Sequence, residues 1–187
     1  MLQKTLILGV IAVFGLGAQT QDLRPGEKAP AFLATTIDGN RVAFQDLNKG
    51  GPVFLYFIRE GDRVNTAAST YVDRILKAYM PARAKWFGVT DGDEAHARSW
   101  LARYNNPYQM LMDRDRRLVH AFQIASSPTV IEIRSDGTIG GEWIGYSGPE
   151  LKSLNMATAR ANRIRAKAIN LSGAPSTTEY GEAYAKG

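Results

Sequence analysis

The sequence predicts an α/β domain: a central mixed β-sheet flanked by helices, with an N-terminal β-hairpin. Three observations predict it. First, the apolar run Val53-Phe54-Leu55-Tyr56-Phe57-Ile58 is six residues long and rich in β-branched and aromatic side chains, the mark of a strand buried on both faces. Second, after the polar corner Arg59-Glu60-Gly61-Asp62 the period turns helical, with Val64, Ala67, Ala68, Tyr71, Val72, Ile75, Leu76 and Tyr79 on one face. A second apolar run, Lys85 to Thr90, follows, so the unit is strand–helix–strand and its strands must be parallel. Third, Asp38-Gly39-Asn40 and Asp136-Gly137 are tight-turn signals that add antiparallel pairs.

The elements follow in order. The chain has 187 residues, 44% of them hydrophobic, enough for one globular domain with extensions. Residues 1–18 read as a signal peptide: Lys4 supplies the positive start, Thr5 to Gly17 the apolar stretch, and Leu16-Gly17-Ala18 the expected cleavage site. That stretch is shorter than the roughly 20 residues a membrane span requires. Export to the periplasm or the medium is therefore expected, with no transmembrane segment after cleavage. The folded domain is expected over 22–171. Its prolines extend Asp22 to Pro30, and Phe32–Ile37 and Arg41–Phe44 form the hairpin. Gln45 to Asn48 reads as a short turn.

Asp62 is placed to cap the central helix, and Pro81 stops it. Asp91-Gly92-Asp93-Glu94 has the D-x-x-E spacing of a capping box, before a helix that turns Ala97, Trp100, Leu101 and Tyr104 inward. Pro107–Met112 leads to Asp113-Arg114-Asp115 and a short helix with Leu118, Ala121 and Phe122. Ser127-Pro128 stands at the mouth of the strand Thr129–Ile133, and Ile139–Gly145 pairs back after the Asp136-Gly137 turn. Ser147-Gly148-Pro149-Glu150 opens a last helix whose inner stripe is Leu151, Leu154, Ala157, Ala161, Ile164 and Ala168. Arg160, Arg163, Arg165 and Lys167 make a basic face on it, expected to be solvated. Residues 172–187 are rich in Gly, Pro, Ser and Thr and read as a disordered tail.

Composition narrows the chemistry. The net charge of +5 is spread without Lys/Arg blocks between aromatics, so no nucleic-acid partner is expected. The sequence has no cysteine, which excludes disulfides, thiolate metal ligands and thiol redox chemistry within this chain. Its two histidines, His96 and His120, read as ordinary helix residues, so no metal site and no cofactor are expected.

The order G-x-x-A-P-x-F, D-G, F-x-D-L, then the strand–corner–helix and the S-P-T proline, resembles the redoxin (alkyl hydroperoxide reductase/thiol-specific antioxidant) branch of the thioredoxin superfamily, over about residues 24 to 155. The resemblance implies a thioredoxin-like fold, and thiol-disulfide oxidoreductase or peroxiredoxin-type activity. It also implies that Pro128 matches the family's cis-proline. The family's two cysteine positions fall on Asp62 and Asn65, and neither residue can form S–S or S–OH bonds. The expectation is therefore a non-catalytic binding or scaffold module. Its candidate groove is made of Arg59, Glu60, Asp62, Ser127, Pro128 and Thr129, with Arg59 and Glu60 as a local ion pair. The partner would be an extended peptide or protein segment pairing with the Ser127 backbone.

Overall fold

A computed structural model describes residues 23–184. The proposed signal peptide lies outside the described residues. The elements are β1 (Leu33–Thr36), β2 (Arg41–Ala43), α1 (Phe44–Asn48), β3 (Val53–Ile58), α2 (Arg63–Ala78), β4 (Lys85–Thr90), α3 (Glu94–Tyr104), β5 (Gln109–Met112), α4 (Arg117–Ala121), β6 (Thr129–Ile133), β7 (Ile139–Ile144) and α5 (Gly148–Ala161).

Among the described residues one sheet holds the seven strands, in the order β2-β1-β5-β4-β3-β6-β7. The central β3 runs parallel to β4 and antiparallel to β6. Parallel pairing follows from the α2 crossover, and the antiparallel β1–β2 and β6–β7 pairs follow from the two Asp-Gly turns.

Both faces of the sheet are covered, which explains why β3 is apolar at every position. Phe54, Tyr56 and Ile58 point to a core shared with α2, α3 and α5, including Val72, Ile75, Trp100, Leu151 and Leu154. Val53, Leu55 and Phe57 point to the opposite core, with Phe44 and Leu47 of α1, Leu118 and Val119 of α4, and Phe122. Stacking of Phe54 on Trp86, with ring centroids 4.5 Å apart, ties β3 to β4 within the first core.

The structure corrects four local expectations. The expected short turn over Gln45 to Asn48 is a five-residue helix, α1, that begins at Phe44, and Phe44 and Leu47 both turn onto the core. The cap of α3 is Asp93, whose carboxylate accepts from the His96 N–H; Asp91 instead receives two arginines.

Helix α5 ends at Ala161, one turn and more before the periodic pattern stops. The Asn162 side-chain oxygen Oδ1 accepts from the N–H groups of Arg83 (2.7 Å) and Ala84 (3.0 Å), and Arg163 then turns left-handed at φ 58°. The basic face therefore does not form: Arg160 pairs with Glu132 at 3.0 Å, and Arg163, Arg165 and Lys167 lie beyond the helix.

The fourth correction is the tail. Residues 172–184 are not a loose end. They run antiparallel to the loops at the end of the sheet, with bridges Tyr146↔Glu179 and Ser126↔Ala183. Low side-chain content hid this, because the pairing uses main-chain groups and a single buried aromatic, Tyr184 (6% exposed).

Candidate functional site

The corner is built by the end of β3. Gly61 takes φ +86°, a conformation open to glycine, and so swings the chain into the first turn of α2. Asp62 then caps that helix: its Oδ1 accepts from the N–H groups of Val64 (2.7 Å) and Asn65 (3.0 Å). Burial opposes the charged form of Asp62, but the Asn65, Glu182 and Val64 N–H groups and the Asn65 side chain outweigh it, and the carboxyl titrates below its ordinary range.

Asn65 is fully buried beneath the corner. Its amide nitrogen donates to Ser127 Oγ (3.0 Å), and its oxygen accepts from the Arg59 N–H (3.2 Å). One side chain therefore joins the corner to the loop before β6. In that loop the Ser127–Pro128 bond is cis. Gly145 N–H donates to the Pro128 carbonyl (2.7 Å), and the Thr129 hydroxyl donates to the Ser126 carbonyl (2.7 Å).

Asp62, Asn65, Ser127 and cis-Pro128 thus share one edge, and that edge is occupied by the C-terminal segment. Gly181 N–H donates to the Ser127 carbonyl (2.8 Å), and Ser127 N–H donates back to the Glu182 carbonyl (3.3 Å). The second oxygen of Asp62 accepts from the Glu182 N–H (2.7 Å). Further along, Tyr184 N–H reaches the Ala125 carbonyl (2.9 Å), and Tyr146 and Glu179 exchange both main-chain hydrogen bonds at 2.9 Å. The expectation that Ser127 has a free backbone is corrected: the chain's own tail pairs with it as an added strand.

Side chains complete the seat. Arg59 pairs with Glu182 (3.0 Å) and with Asp91 (3.7 Å), and Arg116 holds the other oxygen of Asp91 (3.0 Å). Both guanidinium groups face the Tyr184 ring, 5.2 and 5.8 Å from its centroid, and Tyr184 itself joins the core that contains Leu118 and Phe122. Arg59 is therefore not paired with Glu60. Glu60 lies 3.9 Å from Arg103 on α3, and its other oxygen is buried without a partner among the described residues.

Of the residues expected to form the groove, the structure brings Arg59, Asp62, Ser127 and Pro128 to it. It sets Glu60 on the α3 side and buries Thr129 behind the loop (1% exposed). The sequence reading missed Asp91, Arg116, Gly181, Glu182 and Tyr184. Asp91 carried a misleading signal, its capping-box spacing; the tail residues carried only a Gly-Glu-Ala-Tyr run with no local structure to mark it.

The energetics suit a reversible seat. Ordering the six residues 179–184 costs about 1–2 kcal/mol each. Five main-chain hydrogen bonds at about 1 kcal/mol each and burial of Tyr184 at about 2–3 kcal/mol offset most of that. The Arg59–Glu182 pair, half-buried on the arginine side and exposed on the carboxylate side, adds a smaller share.

Comparison with known proteins places this geometry in context. The family model described as AhpC/TSA family matches residues 25–141, which include the corner and cis-Pro128 and end before the tail. The thiol-disulfide oxidoreductase ResA of Bacillus cereus (strain ZK / E33L) is 22% identical over 137 residues, 73% of this chain and 79% of that protein. An uncharacterized conserved protein from Geobacillus kaustophilus superposes with a TM-score of 0.68 at 17% identity, covering 86% of this chain and 91% of the other. The thioredoxin domain of a thiol-disulfide oxidoreductase from Bacteroides vulgatus gives 0.61 at 20% identity, covering 73% and 99%. These structural likenesses show the thioredoxin-like fold. With the family match spanning most of the sheet, they lead to one statement of identity: the chain belongs to the AhpC/TSA family of redoxins.

Proposed function

We propose that this protein is an exported, non-catalytic member of its family that works as a binding module for extended peptide segments, through the groove between Asp62 and cis-Pro128. The observation that carries the reading is the two-way main-chain pairing of Ser127 with an extended segment, at the corner where the resemblance to the family puts its two cysteine positions on Asp62 and Asn65. Both residues are committed to structure. Asp62 spends one oxygen on the cap and the other on the segment, and Asn65 is buried with both amide atoms bonded. Thiol-disulfide exchange requires a sulfur nucleophile that is both attacked and regenerated, and this chain has no cysteine. The order of Lys4, the apolar stretch and Ala18 supports export.

The test uses protein recovered from the exported fraction, with a mass that starts at Gln19. Insulin reduction with dithiothreitol and peroxide consumption should both stay at the buffer rate. Turnover above buffer, or a mass that retains residues 1–18, contradicts the corresponding half of the proposal.

A further inference from the structure

The tail shows more than that the groove takes extended chain; it shows which residue types the groove accepts at each position. At Gly181 a side chain has no room: a Cβ there would lie 2.6 Å from Asp62 Oδ2 and 2.8 Å from Asn65 Nδ2, and would collide with the Ser127 carbonyl. The next residue, Glu182, presents its N–H to Asp62 and its carboxylate to Arg59. Ala183 places only a carbonyl near Arg59, at 3.4 Å from Nη1. Tyr184 then fills the pocket under Arg59 and Arg116, whose charges are fixed by the largely buried Asp91. Steric exclusion, a cation and an aromatic pocket thus follow one another at the spacing of a strand.

From this we infer that the groove is a binding site for extended peptides carrying glycine, an acidic residue next to it and an aromatic residue three positions on. The chain's own 179–184 segment is its resident ligand, and a partner segment of the same pattern must displace it. The inference rests on the peptide-binding reading given above and names both its ligand class and its control. Asp62 and Asn65 leave the corner without a reactive group, so recognition there consists of pairing alone.

The experiment uses the full chain with Gly181→Val, which denies the tail its seat while leaving the sheet untouched. The probe is a fluorescein-labelled peptide corresponding to residues 176–184. Binding to the G181V protein is expected to be at least ten-fold tighter than to wild type. The same peptide carrying Gly181→Val or Tyr184→Ala should lose at least ten-fold in affinity. Equal binding by wild type and G181V overturns the resident-ligand inference. A G181V protein that binds the native and a scrambled peptide equally overturns the residue pattern but keeps the groove as a peptide site. A folded G181V protein that binds neither peptide overturns the groove reading itself. Should G181V fail to fold, Tyr184→Ala in the full chain takes its place, because it empties the pocket without a steric clash, and the same outcomes decide. A wild-type dimer that becomes monomeric on either substitution would place the tail in a second copy's groove and overturn the intramolecular seat.

Discussion

Replacing Asn65 by alanine should lower the stability of the domain by about 3 kcal/mol, because Asn65 is fully buried with both amide atoms bonded. The loss has two parts. The Arg59 N–H loses its acceptor, and Ser127 Oγ loses the amide donor that holds it against the corner. Both groups stay buried or nearly so, since Ser127 is 0% exposed, and an unsatisfied buried polar group costs about 1–3 kcal/mol. For a domain of this size each kcal/mol moves the melting temperature by about 2–4 °C, so a fall of about 6–12 °C is expected by calorimetry. A change below about 2 °C would mean that Asn65 does not join the corner to the loop before β6. The position matters because it is where a thiol would sit in the redox-active pattern that the sequence resembles. Here it is an amide that holds the two halves of the groove at a fixed spacing.

The second large effect depends on pH. Asp73 lies on the buried side of α2 and is 5% exposed. Burial pushes its carboxyl up to about 7, against the pull of the Lys77 ammonium one turn on. The other polar groups around it are Tyr56 with Ser69, Tyr104 and Tyr108; burial also raises the Tyr56 and Tyr108 phenols, and Asp73 adds to both effects. The Asn106 amide, turned so that its nitrogen faces the carboxylate at 2.6 and 2.9 Å, favours the charged form and limits the shift.

The sign follows from linkage. A folded-state pKa above the ordinary 3.8 means that the folded protein holds a proton which the unfolded chain releases between about pH 4 and pH 7. Stability therefore falls as pH rises through that window and levels off above it. A shift to about 7 corresponds to at most about 4 kcal/mol, and the Asn106 donors bring the expected value to about 2 kcal/mol. Asp73→Asn keeps the shape of the protonated carboxyl without its titration. Its melting temperature should match wild type near pH 4 and exceed it by about 4–8 °C at pH 8. Parallel curves for the two proteins across that range would show that the fold does not raise the Asp73 carboxyl and would contradict this reading.

What the sequence reveals and what it hides divide along the range of the interactions. The buried strand Val53–Ile58 and the helix after it are local: their length, period and capping residue lie within one stretch of chain. Asp62 as an N-cap is legible for the same reason, because its first oxygen serves N–H groups two and three residues on. Its second oxygen serves residue 182, and nothing near Asp62 announces that.

The Asp-x-x-Glu spacing at Asp91 misled because a capping box and an ion-pair anchor look alike in sequence. Only the return of Arg59 and Arg116 to the same carboxylate separates them. Likewise the helical stripe through Ile164 and Ala168 is periodic, yet α5 stops at Ala161 because the loop before β4 captures Asn162. The tail is the largest case. Composition estimates how much side-chain surface a segment can bury, and by that measure 172–184 is poor. The loops before β6 and after β7 offer main-chain groups that need only a backbone to pair with, and Tyr184 supplies the buried aromatic anchor.

Amide hydrogen exchange of the wild-type full chain near neutral pH tests the central claim most directly, because it reads the tail's main-chain pairing without altering a residue. The N–H groups of Glu179, Gly181, Glu182 and Tyr184 each have an acceptor in the seated tail: the Tyr146 carbonyl, the Ser127 carbonyl, the Asp62 carboxylate and the Ala125 carbonyl. All four should exchange together, at least ten-fold more slowly than in a free peptide of the same sequence, and still faster than the amides of β3. Exchange of these four at the rate of the free peptide would leave the groove empty and contradict the account.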